Sequence, residues 1–284
     1  MDYLLFIQLS IIAGIAASFV RYNTAILTVP ILILIWHIEP IAAICAGLIT
    51  DFFYLLYIVY PKIRKKTIDY KLSIKLLLLA IPAAVFGAWV ACKIPGNYLL
   101  ILLITGLVII AFTYLYILER ETIEQLDQKI VHKYGATLYE TQITKADGYY
   151  YRYSASNLTK SRLLFMLGGL STGMLTLFLG KYGKHLLLRH SEVPSEVSAA
   201  TATFIQLIVT LIASAMCVFM FYNGESTMNP DIWIIILYAA PGAILGAYLS
   251  SLIPSENFVI YTNRTMPAIL VILAILLLGK FMAA

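Results

Sequence analysis

Apolar stretches of two lengths alternate with short polar links along this chain. Residues 41–60, 72–93, 98–118, 197–222, 232–252 and 258–278 are each long enough for a helix that crosses a bilayer, which takes about 20 apolar residues. Two other stretches are interrupted. Residues 3–20 run into Arg21-Tyr22-Asn23-Thr24 before a shorter apolar piece, 25–36. Residues 163–179 run into Gly180-Lys181-Tyr182-Gly183-Lys184-His185 and the short piece 186–188. The pattern predicts two broken helical hairpins with polar tips, each followed by three full spans.

The two sets are copies. Residues 81–95 read IPAAVFGAWVACKIP, and residues 240–254 read APGAILGAYLSSLIP. Pro82, Gly87, Ala88, Ile94 and Pro95 match Pro241, Gly246, Ala247, Ile253 and Pro254 at one offset of 159, which also pairs Gly14 with Gly173. The prolines are expected to kink their helices. The Gly-Ala pairs are expected to let helices cross closely. Pro40 and Pro194 suit helix starts, with Ser195 available as a cap. Between the halves, residues 119–160 form a polar insert. Ile123, Leu126 and Ile130 recur there at helical spacing, and Asp147-Gly148 between β-forming runs predicts a small hairpin. The expected division is a first membrane repeat at 1–118, the insert at 119–160 and a second repeat at 161–284.

Charge orients the path. Lys62, Arg64, Lys65, Lys66 and Lys71 stand against one acid, Asp69, after the first full span, and this end is expected in the cytoplasm. The link 223–231 holds Glu225 and Asp231 and no base, and is expected outside. Threading the spans between these anchors places the insert in the cytoplasm. It also makes the halves inverted copies, each a broken hairpin plus three spans. That arrangement lets one scaffold adopt two conformations of similar energy.

Composition fits a membrane protein and nothing else. The chain is 61% hydrophobic and 12% charged, against about 25% charged in soluble domains. No separate secretory signal is expected, since the first apolar stretch runs straight into the bundle. A net charge of +5 records topology rather than nucleic-acid binding. Cys45, Cys92 and Cys217 lie in apolar stretches without ligand or redox spacing, and read as small buried hydrophobes. The four histidines form no zinc signature, and no GxxxxGK[ST] phosphate loop is present. An enzyme is the weakest reading, and no cofactor, catalytic residue or metal site is expected.

The chemistry gathers at the polar tips. Backbone leaves the helical state in hydrocarbon only where protein or water satisfies it. Helix starts there would present free N–H groups to an anion. Arg21, Asn23 and Thr24 in the first tip, and Gly180, Lys181, Gly183, Lys184 and His185 in the second, are the candidate substrate-binding residues. Lys181 and Lys184, with Arg189 and His190, have a second reading as topology signals or headgroup contacts. His185 reads equally as a packing residue. Thr50 and Asp51 interrupt a full span, and a carboxylate at that depth calls for a partner or an ion. Thr203, Gln206 and Thr210 share one side of the matching span. These five are the candidate cavity or coupling residues, although interhelical hydrogen bonding also accounts for the last three.

The order of these pieces resembles the sulfite exporter TauE/SafE family of membrane transporters. The second half carries Gly169-Leu-Ser-Thr-Gly173, Gly180-Lys-Tyr-Gly183, Val193-Pro-Ser-Glu-Val-Ser-Ala-Ala-Thr-Ala-Thr203 and Pro241-Gly-Ala-Ile-Leu-Gly246-Ala247. The first half keeps Ala13-Gly14-Ile-Ala-Ala-Ser18, Pro30, Ala42-Ala43 and Pro82-Ala-Ala-Val-Phe-Gly87-Ala88. The family's central triple glycine is absent from both tips. The resemblance implies a secondary transporter that exports or takes up sulfite, a sulfonate or a related organosulfur anion across the cell membrane, with export the expected direction. Proton or sodium coupling is open, with Asp51 the best carboxylate for either. An anion channel and a transporter of a non-sulfur organic anion are the alternatives. The expected partners are the substrate and membrane lipid.

Overall fold

The computed structural model describes residues 3–20, 23–116, 126–130, 132, 141–177, 180–223, 231–252 and 256–283. Its helices are α1 (Tyr3–Val20), α2 (Ala25–Ile35), α3 (Pro40–Arg64), α4 (Tyr70–Lys93), α5 (Gly96–Tyr116), α6 (Leu158–Leu175), α7 (Gly180–His190), α8 (Ser195–Tyr222), α9 (Asp231–Leu252) and α10 (Glu256–Ala283). Strands β1 (Thr141–Thr144) and β2 (Tyr150–Tyr153) form an antiparallel hairpin between α5 and α6. Six helices among the described residues are long and apolar enough to cross a membrane, and they match the six full spans expected from hydropathy. The protein is a largely helical, multi-pass membrane protein.

The helix starts follow local chemistry. Pro40 opens α3 at a position whose N–H would be unpaired anyway. Asp69 caps α4 by accepting from Leu72 N at 2.9 Å. At α8 the expected cap is corrected. Pro194 holds the cap position, and Ser195 N donates to the Asp127 carboxylate at 2.7 Å instead. The insert thus supplies an acid where the helix dipole favours one.

The repeated glycines are where the halves interlock. A Cβ on Gly14 would meet the Ala243 carbonyl at 2.8 Å, and one on Gly173 would overlap the Ala84 carbonyl. Likewise, Gly246 lies against the Ile11 carbonyl and Gly87 against the Leu170 carbonyl. Each partner stands 159 residues from its counterpart, so one contact is built twice. The first helix of each half therefore packs on the second full span of the other, α1 on α9 and α6 on α4. These pairs run in the same direction, because Gly169 and Gly173 meet Ala80 and Ala84 in order. In contrast, α3 and α8 run oppositely. Gln206 meets Asp51, whereas Ala199, earlier in α8, meets Lys62, later in α3.

The broken helices repeat too. His37 after α2 and Glu192 after α7 stand 155 residues apart, and both take positive φ, 54° and 53°. One apolar core lies around α2, α3 and α5, where Leu32, Ile44, Leu99, Leu103 and Leu107 are buried. A second lies around α4, α6, α7 and α8, with Leu76, Phe165, Leu187 and Ile205. The three cysteines converge, the Cys217 thiol lying against both Cys45 and Cys92. They pack as expected of small buried groups, but as neighbours that their spacing did not foretell.

The insert is docked on the ends of the bundle. Tyr153 is fully buried in the second core and donates its hydroxyl to Asp69 Oδ2 at 2.5 Å. Burial, with the Asp69 charge beside it, pushes the Tyr153 hydroxyl well above its usual pKa. Tyr151 and Lys145 both reach Glu196, at 2.6 and 3.0 Å. The hydrogen bond to Glu196 raises the Lys145 ammonium. Ile130 is buried as its helical spacing predicts, whereas Ile123 lies outside the described residues.

Candidate functional site

The two interruptions come together across a sequence separation of 153 residues. The Asn23 side-chain amide donates to the Thr176 carbonyl. Thr176 is the C-cap of α6 and takes φ 62°, a conformation that costs a β-branched residue energy and needs its surroundings to hold it. Thr172 on the preceding turn bonds the Leu177 carbonyl at 2.8 Å and closes the end of that helix.

Beside this bridge lies Asp51, halfway along α3 and 1% exposed. Its Oδ1 accepts from Thr24 N at 2.8 Å and from the Thr24 hydroxyl at 3.2 Å. Its Oδ2 accepts from Gln206 Nε2 at 3.4 Å. Thr24 is the residue before α2, so the start of that half-helix faces a carboxylate belonging to the protein itself. Gln206 stands 155 residues beyond Asp51, the offset of the half-helices and of the starts of α3 and α8. The two equivalent positions thus meet where α3 and α8 cross, with an acid in one and an amide in the other. Asn23, Thr24, Asp51, Gln206 and Thr210 are each no more than 2% exposed. The junction is occluded in this conformation.

The other candidates scatter. Arg21 lies outside the described residues, as does the side chain of Lys181. The second break falls before Gly180 rather than across residues 180–185, because those residues are the opening turns of α7. Gly183 is buried on that helix, and a Cβ there would press on Ala202 and Phe165. Lys184 and His185 lie half-buried on α7, and each is engaged in contacts of its own. Thr50 turns back on its own helix, donating to the Ala46 carbonyl at 2.8 Å. Thr203 donates to the Ala199 carbonyl at 2.6 Å and receives the Lys62 ammonium at 2.5 Å, so it is engaged with the far end of α3 rather than with Asp51. Lys62 therefore sits in the seam between the halves, where charge counting saw only a topology signal. Thr176 escaped the sequence reading altogether. A threonine ending a helix has no signal beyond its place just before the break.

No group of three or more histidine, cysteine or acidic residues suited to a metal ion occurs among the described residues. The sequence profile described as Sulfite exporter TauE/SafE matches residues 6–230 of the 284. No curated protein and no solved structure matches.

Proposed function

The chain belongs to the sulfite exporter TauE/SafE family, and from that premise we propose that it moves sulfite, a sulfonate or a related organosulfur anion out of the cell. The family is one of transporters and not of enzymes, so the polar junction is read as a binding site without bond chemistry. The observation that carries the reading is the meeting of two helix breaks at one buried junction, with Asn23 bridging to Thr176 and Asp51 to Gln206. Broken helices at the interface of two repeats are where transporters hold substrate and coupling ions.

On this reading the anion binds at the second tip. Asp51 already compensates the start of α2. The start of α7 at Gly180 has the neutral Gln206 at the equivalent position, with Lys181 and Lys184 on its first turns. Arg21 supplies charge from the first tip, and Asp51 is the group that exchanges a coupling cation. Outward movement of one negative charge is favoured by about 2.3 kcal/mol per 100 mV of inside-negative potential, enough for a gradient of roughly fiftyfold, and a cation exchanged at Asp51 would serve movement against a steeper gradient or inward. In proteoliposomes, sulfite or a sulfonate such as taurine or sulfoacetate is expected to move, with sulfate and thiosulfate as comparisons. If none of the panel moves under an imposed potential, the substrate class is wrong.

The halves are proposed to be inverted copies that exchange inward and outward openings. The opposed run of α3 and α8, and the doubled glycine contacts, support this. The basic link at 62–66 then faces the cytoplasm together with the insert. In protein stripped of its natural cysteines, Lys66→Cys and Ser226→Cys are expected to label from opposite sides of the membrane. Labelling of both from one side would overturn the orientation.

A further inference from the structure

Asp51 is buried among neutral partners. Thr24, the Ala25 backbone and Gln206 supply its hydrogen bonds, and no cationic side chain reaches it among the described residues. A carboxylate so placed in a membrane protein needs a proton or a counter-charge. Among the described side chains, Gln206 alone reaches its Oδ2, at a long 3.4 Å, so that oxygen has capacity for a further partner.

A second observation says what kind of partner fits. Asn23 turns its amide nitrogen onto the Thr176 carbonyl, and its Oδ1 is left buried with no hydrogen-bond partner among the described residues. The Thr176 hydroxyl, 1% exposed, is likewise without a hydrogen-bond partner among the described residues. The same holds, among the described residues, for the Thr210 hydroxyl, one turn past Gln206 on α8. Buried polar atoms in native proteins are nearly always paired, and Asn23 and Thr176 are hydrogen-bonded neighbours, so their two orphaned oxygens point to a missing ligand at one place. A proton on Asp51 would serve one acceptor. A cation serves several oxygens at once. The set is one carboxylate with neutral oxygens, hard ligands of low total charge, which suits a monovalent hard cation better than calcium or a thiol-seeking metal. The C-terminal end of α6 also closes at Thr176, and that end of a helix carries partial negative charge.

We propose that this junction is a sodium site, with Asp51, the Asn23 side-chain oxygen and the Thr176 hydroxyl as ligands. Sodium there would neutralise Asp51 and tie the first tip to the end of α6, so that its binding and release bear on how the two halves move. The proposal rests on the reading of the junction as the centre of a transporter, and it adds the ion.

The test uses the purified full-length chain and sodium alone. Saturable ²²Na⁺ binding is expected, with thermal stabilisation by NaCl over choline chloride at equal ionic strength. Asp51→Asn is expected to abolish both. Thr176→Gly removes the hydroxyl yet suits the positive φ, and is expected to weaken sodium binding about tenfold, the loss of one neutral ligand by the arithmetic of affinity. It keeps the proposal testable if the Asp51 variant does not fold. Absence of saturable binding to the wild type would overturn the site, as would wild-type binding by folded Asp51→Asn or Thr176→Gly protein. That result would direct attention to Arg21 as the counter-charge. Sulfite flux equal in sodium and choline media sinks the role of sodium in transport and leaves the anion reading standing. Sodium binding without flux of any sulfur anion supports the site and removes the substrate class.

Discussion

Gly173→Ala protein is expected to be lost from the folded fraction. The new Cβ would overlap the Ala84 carbonyl, and that oxygen belongs to helix backbone, which cannot swing aside as a side chain can. The two helices must then part along their whole crossing, and the contact of Gly169 with Ala80 one turn away is lost with it. Overpacking a fixed core costs about 1–3 kcal/mol, and a rigid backbone contact puts this site at or above the top of that range. Gly14→Ala, at the equivalent crossing, meets Ala243 at 2.8 Å and should lose less. Gly183→Ala presses on the Ala202 and Phe165 side chains at 3.2 Å or more and should cost less than Gly173→Ala, while Gly279→Ala has open space and should cost nothing. Monodisperse yield on size-exclusion chromatography checks the series. Equal yields for the alanine variants at Gly173 and Gly279 would mean that α4 and α6 do not cross as described.

The crossing glycines were legible in the sequence because a helix contact leaves a fixed record. Pro82, Gly87 and Ala88 recur intact as Pro241, Gly246 and Ala247, since close backbone approach admits few residues. The six spans were legible from length and apolarity alone, and the β-hairpin from Asp147-Gly148. The site was only half legible. Asp51 stood out because a carboxylate is costly in an apolar stretch. Its equivalence to Gln206 was hidden by a change of offset from 159 to 155 through the middle of the repeat. Gly180 and Gly183 drew the second tip too far along the chain. Glycine marks flexible backbone or close packing with the same letter, and here Gly183 sits against Ala202 and Phe165. The bridge from Asn23 to Thr176 left no trace, because both are ordinary polar residues whose meeting depends on the tertiary fold.

The meeting of Asp51 and Gln206 gives the second large effect. Gln206→Glu replaces the amide donor with a second carboxylate against Asp51 Oδ2, at a contact now 3.4 Å long and buried from solvent. An uncompensated buried charge costs about 3–5 kcal/mol, a large share of the 5–15 kcal/mol that holds an ordinary domain together. The single variant is therefore expected to lose most of its folded yield. Asp51→Asn alone removes a charge and keeps the shape, and should fold. Combining Asp51→Asn with Gln206→Glu restores one acid and one amide with their places exchanged. The oxygen of the amide introduced on α3 can still accept from Thr24 N, and its nitrogen can donate to the acid introduced on α8. The double variant is thus expected to recover the yield that Gln206→Glu loses, and a double-mutant cycle measures the coupling. Thermal stability and monodisperse yield of the four proteins decide it. If Gln206→Glu folds as well as wild type, or the double variant does no better than Gln206→Glu alone, the two positions do not face each other at the crossing of α3 and α8. Recovery would show that the junction accepts its acid from either half, as two copies of one structural unit should.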